Sequence, residues 1–204
     1  MERFFESYAS GEPEDLPWYN PEPDADLVRW FDELLEGPSR VIDLGAGPSV
    51  HGIFLAGRGH DVTAVDGVPA ARDLALRLAR ERGVEIDYHV ADVLAWEPPE
   101  RAAWDLVLDR GFLHTLEPED RPRWLDRVRG LLRPGGALVL KAFTAEPRGF
   151  GPPGLTAAET LGAIREGEPD GLRLVDLARS SFNLADRPDV TGAHSAWTLV
   201  ARGL

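Results

Sequence analysis

Four acidic residues stand where short apolar runs end: Asp43, two positions before Gly45-Ala46-Gly47; Asp66, just before Gly67; Asp92, between Ala91 and Val93; and Asp109, just before Arg110-Gly111. A carboxylate can accept from both hydroxyls of a ribose diol, which suits Asp66, or from an amino group such as that of adenine, which suits Asp92. Glycines at 45 and 47 let a backbone approach a ligand closely, and a helix opening just beyond them offers unpaired N–H groups. Taken singly, each acid is better explained as a helix N-cap. Their repetition at one end of successive runs points to a nucleoside site. His114, the histidine nearest this edge, has a side chain that titrates near neutrality and can serve as a base or orient a substrate, although a histidine opening a helix is more often structural. His51, His60, His89 and His194 show no metal-ligand spacing with carboxylates, so no metal site is expected.

The elements that must carry these residues alternate. After a proline-rich stretch over 1–23, a helix is expected from Asp24 to Glu36, with Leu27, Trp30, Phe31, Leu34 and Leu35 on one stripe. Strands follow at Arg40–Leu44, Asp61–Val65, Val84–Val90, Asp105–Asp109 and Ala137–Ala142. Helices fall between them at Val50–Gly57, Pro69–Arg82 and Pro118–Leu132, and Arg133-Pro-Gly-Gly136 reads as the turn into the fifth strand. A loop at 146–154 precedes a helix at Ala157–Glu166. The last apolar runs, Leu172–Leu177 and Ala196–Ala201, have only turn-rich 183–195 between them and so read as an antiparallel pair. The expectation is an α/β fold, a Rossmann-like doubly wound and mostly parallel seven-stranded sheet with an antiparallel last strand and helices on both faces. Ligands of such sheets bind at the carboxyl ends of the strands, where the four acids fall.

The 204 residues fit one domain, with 1–37 as an N-terminal cap segment and helix and 38–204 as the core. A net charge of −13, with Lys141 the only lysine, argues against a nucleic-acid partner. No apolar run is long enough to span a membrane, and Met1–Glu6 lacks the layout of a signal peptide, so a cytoplasmic location and no membrane partner are expected. The absence of cysteine excludes disulfides, thiolate catalysis and cysteine metal sites. A small-molecule substrate is what remains. No residue pattern sets an oligomeric state.

Val41-Ile-Asp-Leu-Gly-Ala-Gly47, Val65-Asp66, Ala91-Asp92-Val93, Asp105-Leu-Val-Leu-Asp109 and Leu132-Arg-Pro-Gly-Gly136 together resemble the class I S-adenosylmethionine-dependent methyltransferases over about residues 38 to 145. The resemblance implies S-adenosyl-L-methionine as cofactor. Asp43 and Gly45, Ala46 and Gly47 would lie along its methionine moiety and ribose, Asp66 with Gly67 at the ribose hydroxyls, and Asp92 with Val93 around the adenine. The chain departs from the family at Pro48-Ser49-Val50-His51-Gly52, where another glycine is common. Pro48 removes one N–H and stiffens the turn, and Ser49 is placed to cap the helix.

Asp109-Arg-Gly-Phe-Leu-His-Thr-Leu116 and Leu16-Pro17-Trp18-Tyr19 are similar to the thiopurine, thiol and tellurite-resistance branch of that family. The likeness puts Trp18, Asp109 and Arg110 with the cofactor; Tyr19, Phe112 and Phe143 are the aromatic candidates at the substrate, and Asp109 and His114 the candidates at the chemistry. Aromatic faces stabilise a sulfonium by cation–π attraction, although Phe112 and Phe143 also read as core. A thiol acceptor needs little help, being partly ionised near neutral pH, whereas a phenol or alcohol requires a base in reach. The expected activity is methyl transfer to a small molecule, a thiol or other soft nucleophile. The rival readings are a non-catalytic S-adenosylmethionine binder and an NAD-dependent oxidoreductase. The second is disfavoured by the missing third glycine and by Asp92.

Overall fold

A computed structural model describes residues 6–8, 10–146, 151–165, 167–169, 171–182 and 194–203. Its centre is a seven-stranded sheet in the order β3-β2-β1-β4-β5-β7-β6. The strands are β1 Arg40–Leu44, β2 Asp61–Asp66, β3 Asp87–Val90, β4 Trp104–Arg110, β5 Leu132–Phe143, β6 Arg173–Phe182 and β7 His194–Arg202. The first five pair in parallel, and β7 runs antiparallel to both β5 and β6, as the turn-rich linker between the last two apolar runs requires. Between β1 and β4 the direction of winding reverses. A crevice forms at such a point because the connections on its two sides leave in opposite directions.

The helices are α1 Ala25–Leu34, α2 Val50–Gly57, α3 Pro69–Glu81, α4 Arg121–Leu131 and α5 Ala157–Ala163. Alternation along the strands divides the core between the two faces of the sheet. Val41, Leu106, Leu108 and Val139 pack on Leu27, Trp30 and Phe31 of α1. Ile42, Val107, Leu138 and Leu140 pack on Trp124, Leu125 and Val128 of α4. Asp43 and Arg110 thus come to opposite sides of the β1–β4 crevice, on strand ends whose preceding residues are anchored in apolar layers. Among the described residues, no helix is long and apolar enough to cross a membrane.

Several boundaries differ from the sequence reading: β3, expected from Val84, begins at Asp87, and α1, expected over Asp24 to Glu36, runs Ala25–Leu34. Arg133–Gly136 is not a turn before β5 but part of it: Trp104 already pairs with Leu132, and an irregularity between Trp104 and Leu106 absorbs the extra residues, with Gly135 at φ +75°. The helix expected from Pro118 begins at Arg121, with Pro122 in its first turn, after single 3₁₀ turns at Leu113–Thr115 and Pro118–Asp120. Strand β6 continues through polar Ala178–Ser181 because its backbone stays paired with β7 to Phe182↔His194. The loop expected at 146–154 includes 147–150, and the turn expected at 183–195 includes 183–193. Both stretches lie outside the described residues.

Candidate active site

The turn after β1 is built on positive backbone angles. Gly45 has φ +66°, Gly47 φ +51° and Ser49 φ +50°. At Gly45 the lack of a side chain is essential, because a Cβ would stand 2.4 Å from Cβ of Phe112 and 2.6 Å from its Cγ. Asp43, buried beneath the turn, accepts from the Ser49 hydroxyl at 2.9 Å. Burial, with the charge of Asp66 adding to it, pushes the Asp43 carboxyl up to about 7 against the Ser49 hydrogen bond. Ser49 therefore ties the turn to the strand end instead of capping α2 with its side chain. Ala46 packs towards Ala64, Ala75 and Tyr88.

Asp66 closes the turn from the β2 side. It accepts from the Gly47 N–H at 3.0 Å and the Val68 N–H at 2.9 Å, and the Gly67 N–H also bonds to it. Burial raises its pKa and these N–H groups oppose the rise. Tyr88 donates its hydroxyl to the Gly47 carbonyl at 2.8 Å. Asp92 is exposed at the end of β3 and accepts from the Leu94 N–H at 2.9 Å, while Val93 turns into the core with Ile42, Leu44 and Val65.

Asp109 faces α4. It accepts from the backbone N–H groups of Phe112 at 2.9 Å and Leu113 at 3.1 Å, and from the Trp124 indole N–H at 2.8 Å. Burial lifts its carboxyl to about 7 despite these donors. Its work is to fold the segment after β4 so that Phe112 lies across Gly45. His114, buried in the following 3₁₀ turn, accepts the Phe143 N–H on Nδ1 at 3.1 Å. In the neutral ring the proton then sits on Nε2. Its ring packs on Phe143 with centroids 4.7 Å apart, and Phe182 completes the cluster at 4.5 Å from Phe143.

A buried charge network lies on the other face of the same strand ends. Arg110 donates through Nε to Asp24 at 2.6 Å and through Nη1 to the Trp18 carbonyl at 3.2 Å. Lys141, wholly buried, reaches Asp24 at 3.2 Å and Asp26 at 2.7 Å, and Asp26 also accepts from Ser180 and Thr198. Nε2 of His51 lies 3.0 Å from the Asp24 backbone N–H and 3.2 Å from the Asp24 carboxylate; burial depresses its pKa, and the Asp24 carboxylate opposes that shift. Burial opposes ionisation of Asp24, but the His51 side chain, Arg110 and Lys141 together hold its carboxyl far below the usual range. The network pins the segment carrying Trp18, whose indole nitrogen comes 3.9 Å from the position of a Cβ on Gly47; the Tyr8 hydroxyl comes 3.0 Å from the same point.

A family model described as "Methyltransferase domain" matches residues 41–136, from β1 into β5 and through all four acids. Over this stretch, 96 of the 204 residues, the chain is similar to the methyltransferase domain that the class I resemblance implies. A probable thiol methyltransferase 2 of Arabidopsis thaliana is 42% identical over 62 residues, 30% of this chain and 26% of that protein. Across the first curated relatives the chain spans 26% to 65% of their length. A structure solved for the conversion of a disulfide bond into a thioacetal group during echinomycin biosynthesis has a TM-score of 0.81 at 22% identity, covering 99% of this chain and 92% of that one. The 1,6-didemethyltoxoflavin-N1-methyltransferase of Burkholderia thailandensis, with its substrate and S-adenosylhomocysteine bound, gives 0.71 at 24% identity, covering 99% and 86%. At these identities the two structures share the fold.

The residues of this site fit S-adenosylmethionine. The turn is left-handed at Gly45 and Gly47, Asp66 retains accepting capacity beyond its backbone donors, and the exposed carboxylate of Asp92 stands at the end of β3. The fold brings together Trp18, Asp43, Gly45, Gly47, Asp66 and Phe112, with Arg110 joined through the Trp18 carbonyl. Phe143 and His114 form a neighbouring cluster beside Gly111, whose Cβ position is 3.5 Å from His114 and 3.9 Å from Phe182. Tyr19 packs in one cluster with Tyr8, Leu16, Val68, Ala71 and Leu74, with Trp18 against it. Sequence reasoning missed Tyr8, Tyr88, Asp24, Asp26 and Phe182 as members of the site and its support. For Lys141 a signal existed: a lone lysine inside Ala137–Ala142, an otherwise apolar strand, must be buried with a counter-charge.

Proposed function

We propose that this chain catalyses methyl transfer from S-adenosylmethionine to a small, soft nucleophile, a thiol before other acceptors. The observation that carries this reading is the engagement of both candidate bases. Asp109 is taken up by two backbone N–H groups and the Trp124 indole, and Nδ1 of His114 by the Phe143 N–H. An acceptor that must lose a proton to a protein base is poorly served here, whereas a thiol arrives partly ionised. The likeness to a probable thiol methyltransferase points the same way.

When bound, the cofactor supplies a methyl carbon on a sulfonium and departs as a neutral thioether. In this proposal Asp66 and Gly67 hold the ribose, Asp92 and Val93 frame the adenine, and Asp43 with Gly45, Ala46 and Gly47 shapes the methionine end. Trp18 covers the site and Arg110 fixes that cover. Phe112 and Phe143 present aromatic faces to the positive sulfur and border the acceptor. Asp109 acts as a positioning residue through Phe112, and His114 orients the acceptor side by fixing Phe143. Rate then comes from alignment and from exclusion of water.

The test is release of S-adenosylhomocysteine from purified protein with S-adenosylmethionine and a panel of thiols, phenols, amines and halides. Turnover that requires a thiol supports the proposal. Turnover confined to phenols or amines overturns the thiol preference, and tight cofactor binding without turnover across the panel favours a non-catalytic binder.

A further inference from the structure

A second cleft, of about 270 Å³, lies between the segment after β3 and the outer side of α4, with Leu94, Glu97, Arg101, Arg123, Asp126 and Arg127 among its walls. Arginine dominates it: three guanidinium groups face two carboxylates, in a chain whose net charge is −13. Arg127 is the informative one. Its side chain is only 15% exposed, yet its contacts are the Leu94 carbonyl at 3.1 Å and Glu97 at 3.4 Å, and its buried Nε has no partner. Glu97 is shared, for it also binds Arg101 at 2.9 Å, and Arg123 holds Asp120 at 2.9 Å on the rim.

A guanidinium carries five N–H donors in a fixed fork, and burial makes each unpaired donor costly. An under-satisfied, mostly buried arginine flanked by two exposed arginines is suited to an anion that accepts several hydrogen bonds at once. A planar carboxylate uses one fork. A tetrahedral oxyanion can accept from more than one arginine at once. We propose that this cleft binds a phosphate group, free or carried on a small molecule. The site is separate from the methyl-transfer crevice, and its first wall residue, Leu94, lies two positions after Asp92, whose carboxylate accepts the Leu94 N–H.

The experiment follows the arginine Nε–Hε signals by ¹H–¹⁵N NMR during titration of the full chain with inorganic phosphate at constant ionic strength. A saturable shift of the Arg127 signal is expected, weakened about tenfold in the R101Q/R123Q double variant, which alters only exposed side chains and keeps S-adenosylmethionine binding. A parallel titration with glycerol 2-phosphate identifies the source: tighter binding assigns the site to a phosphorylated small molecule, and equal binding to free phosphate. A non-saturating drift matched by chloride, or unchanged affinity in the double variant, overturns the proposal. Cofactor affinity read on the same samples keeps failure of this site distinct from failure of the methyltransferase reading.

Discussion

Asp109 and Trp124 are joined by a 2.8 Å hydrogen bond from the indole N–H to the carboxylate, across the interface between β4 and α4. The bond turns an acid at a strand end away from the crevice and makes it the anchor of the segment that carries Phe112. A buried carboxylate with three donors is a structural hub, and its raised pKa measures how little water reaches it.

Replacing Asp109 by Asn keeps the shape but turns an amide NH₂ towards those donors, leaving at least one unpaired. A stability loss of about 1–3 kcal/mol is expected, together with weaker cofactor binding as Phe112 loses its seat. Thiols of different acidity discriminate positioning from proton transfer. D109N should slow all of them by the same factor, whereas loss of a base slows the least acidic ones most. Chemical denaturation and rates across a thiol series provide both readouts.

Gly45→Ala places a methyl group within 2.4–2.7 Å of Phe112 atoms at a residue with φ +66°. The left-handed backbone alone costs an L-residue about 1–2 kcal/mol. Cofactor affinity by calorimetry should fall at least about tenfold. A second change, Phe112→Ala, should recover the part of the stability loss due to collision and leave the backbone part.

The pH dependence of stability should be inverted relative to an ordinary acidic protein. Asp43 and Asp109 titrate near 7 in the folded chain against a usual value of 3.8, so between those limits the folded state binds more protons than the unfolded one. Stability therefore falls as pH rises from about 4 to about 7, by at most about 1.4 kcal/mol per pH unit for each group, and levels off above. Asp24 and Asp26 are held low, so they act in the opposite sense, and their contribution is lost only as pH falls below the usual carboxylate range. His51 and His60, both depressed by burial, gain stability as pH rises through the usual imidazole range and so oppose the fall; the share that belongs to Asp43 is isolated by comparing melting temperatures of the wild type and D43N from pH 5 to pH 7.5. D43N should flatten part of that slope; an unchanged slope would contradict a raised pKa at Asp43.

Lys141→Met leaves Asp24 and Asp26 with less compensation in a buried setting. Breaking one side of a buried ion pair costs about 3–5 kcal/mol. Arg110 still holds Asp24, so the lower end is expected in urea denaturation, and Trp18 fluorescence should report loosening of the segment that Arg110 and Asp24 retain.

What was legible in the sequence was local. Strand β1 and helix α2 have the bounds that the apolar run, the glycine turn and the following helical face indicate, because all three signals lie within a few residues. The four acids were recognised for the same reason. Asp24 with Lys141 was not: 117 positions separate them, and only the packing of α1 on β5 brings an aspartate read as a helix start onto the one lysine. The glycine pair at 135–136 reads as a turn on composition, while the ladder to β4 keeps it in the strand. The polar half of β6 has no alternation to reveal it, and β7 holds it through the backbone. Asp109 shows the same limit in chemistry. Its place at the strand end was readable, but the direction of its side chain depends on a tryptophan fifteen residues later in another element.

Burial of Lys141 also has an experimental use. Its ammonium is the one side-chain amine in these 204 residues, it is 0% exposed, and no cysteine competes for electrophiles. An amine-directed reagent can therefore reach this side chain only when the α1 face of the sheet opens. The rate of acylation at Lys141, read by mass spectrometry, becomes a clock for that opening, with slower labelling wherever a ligand holds the Trp18 segment in place.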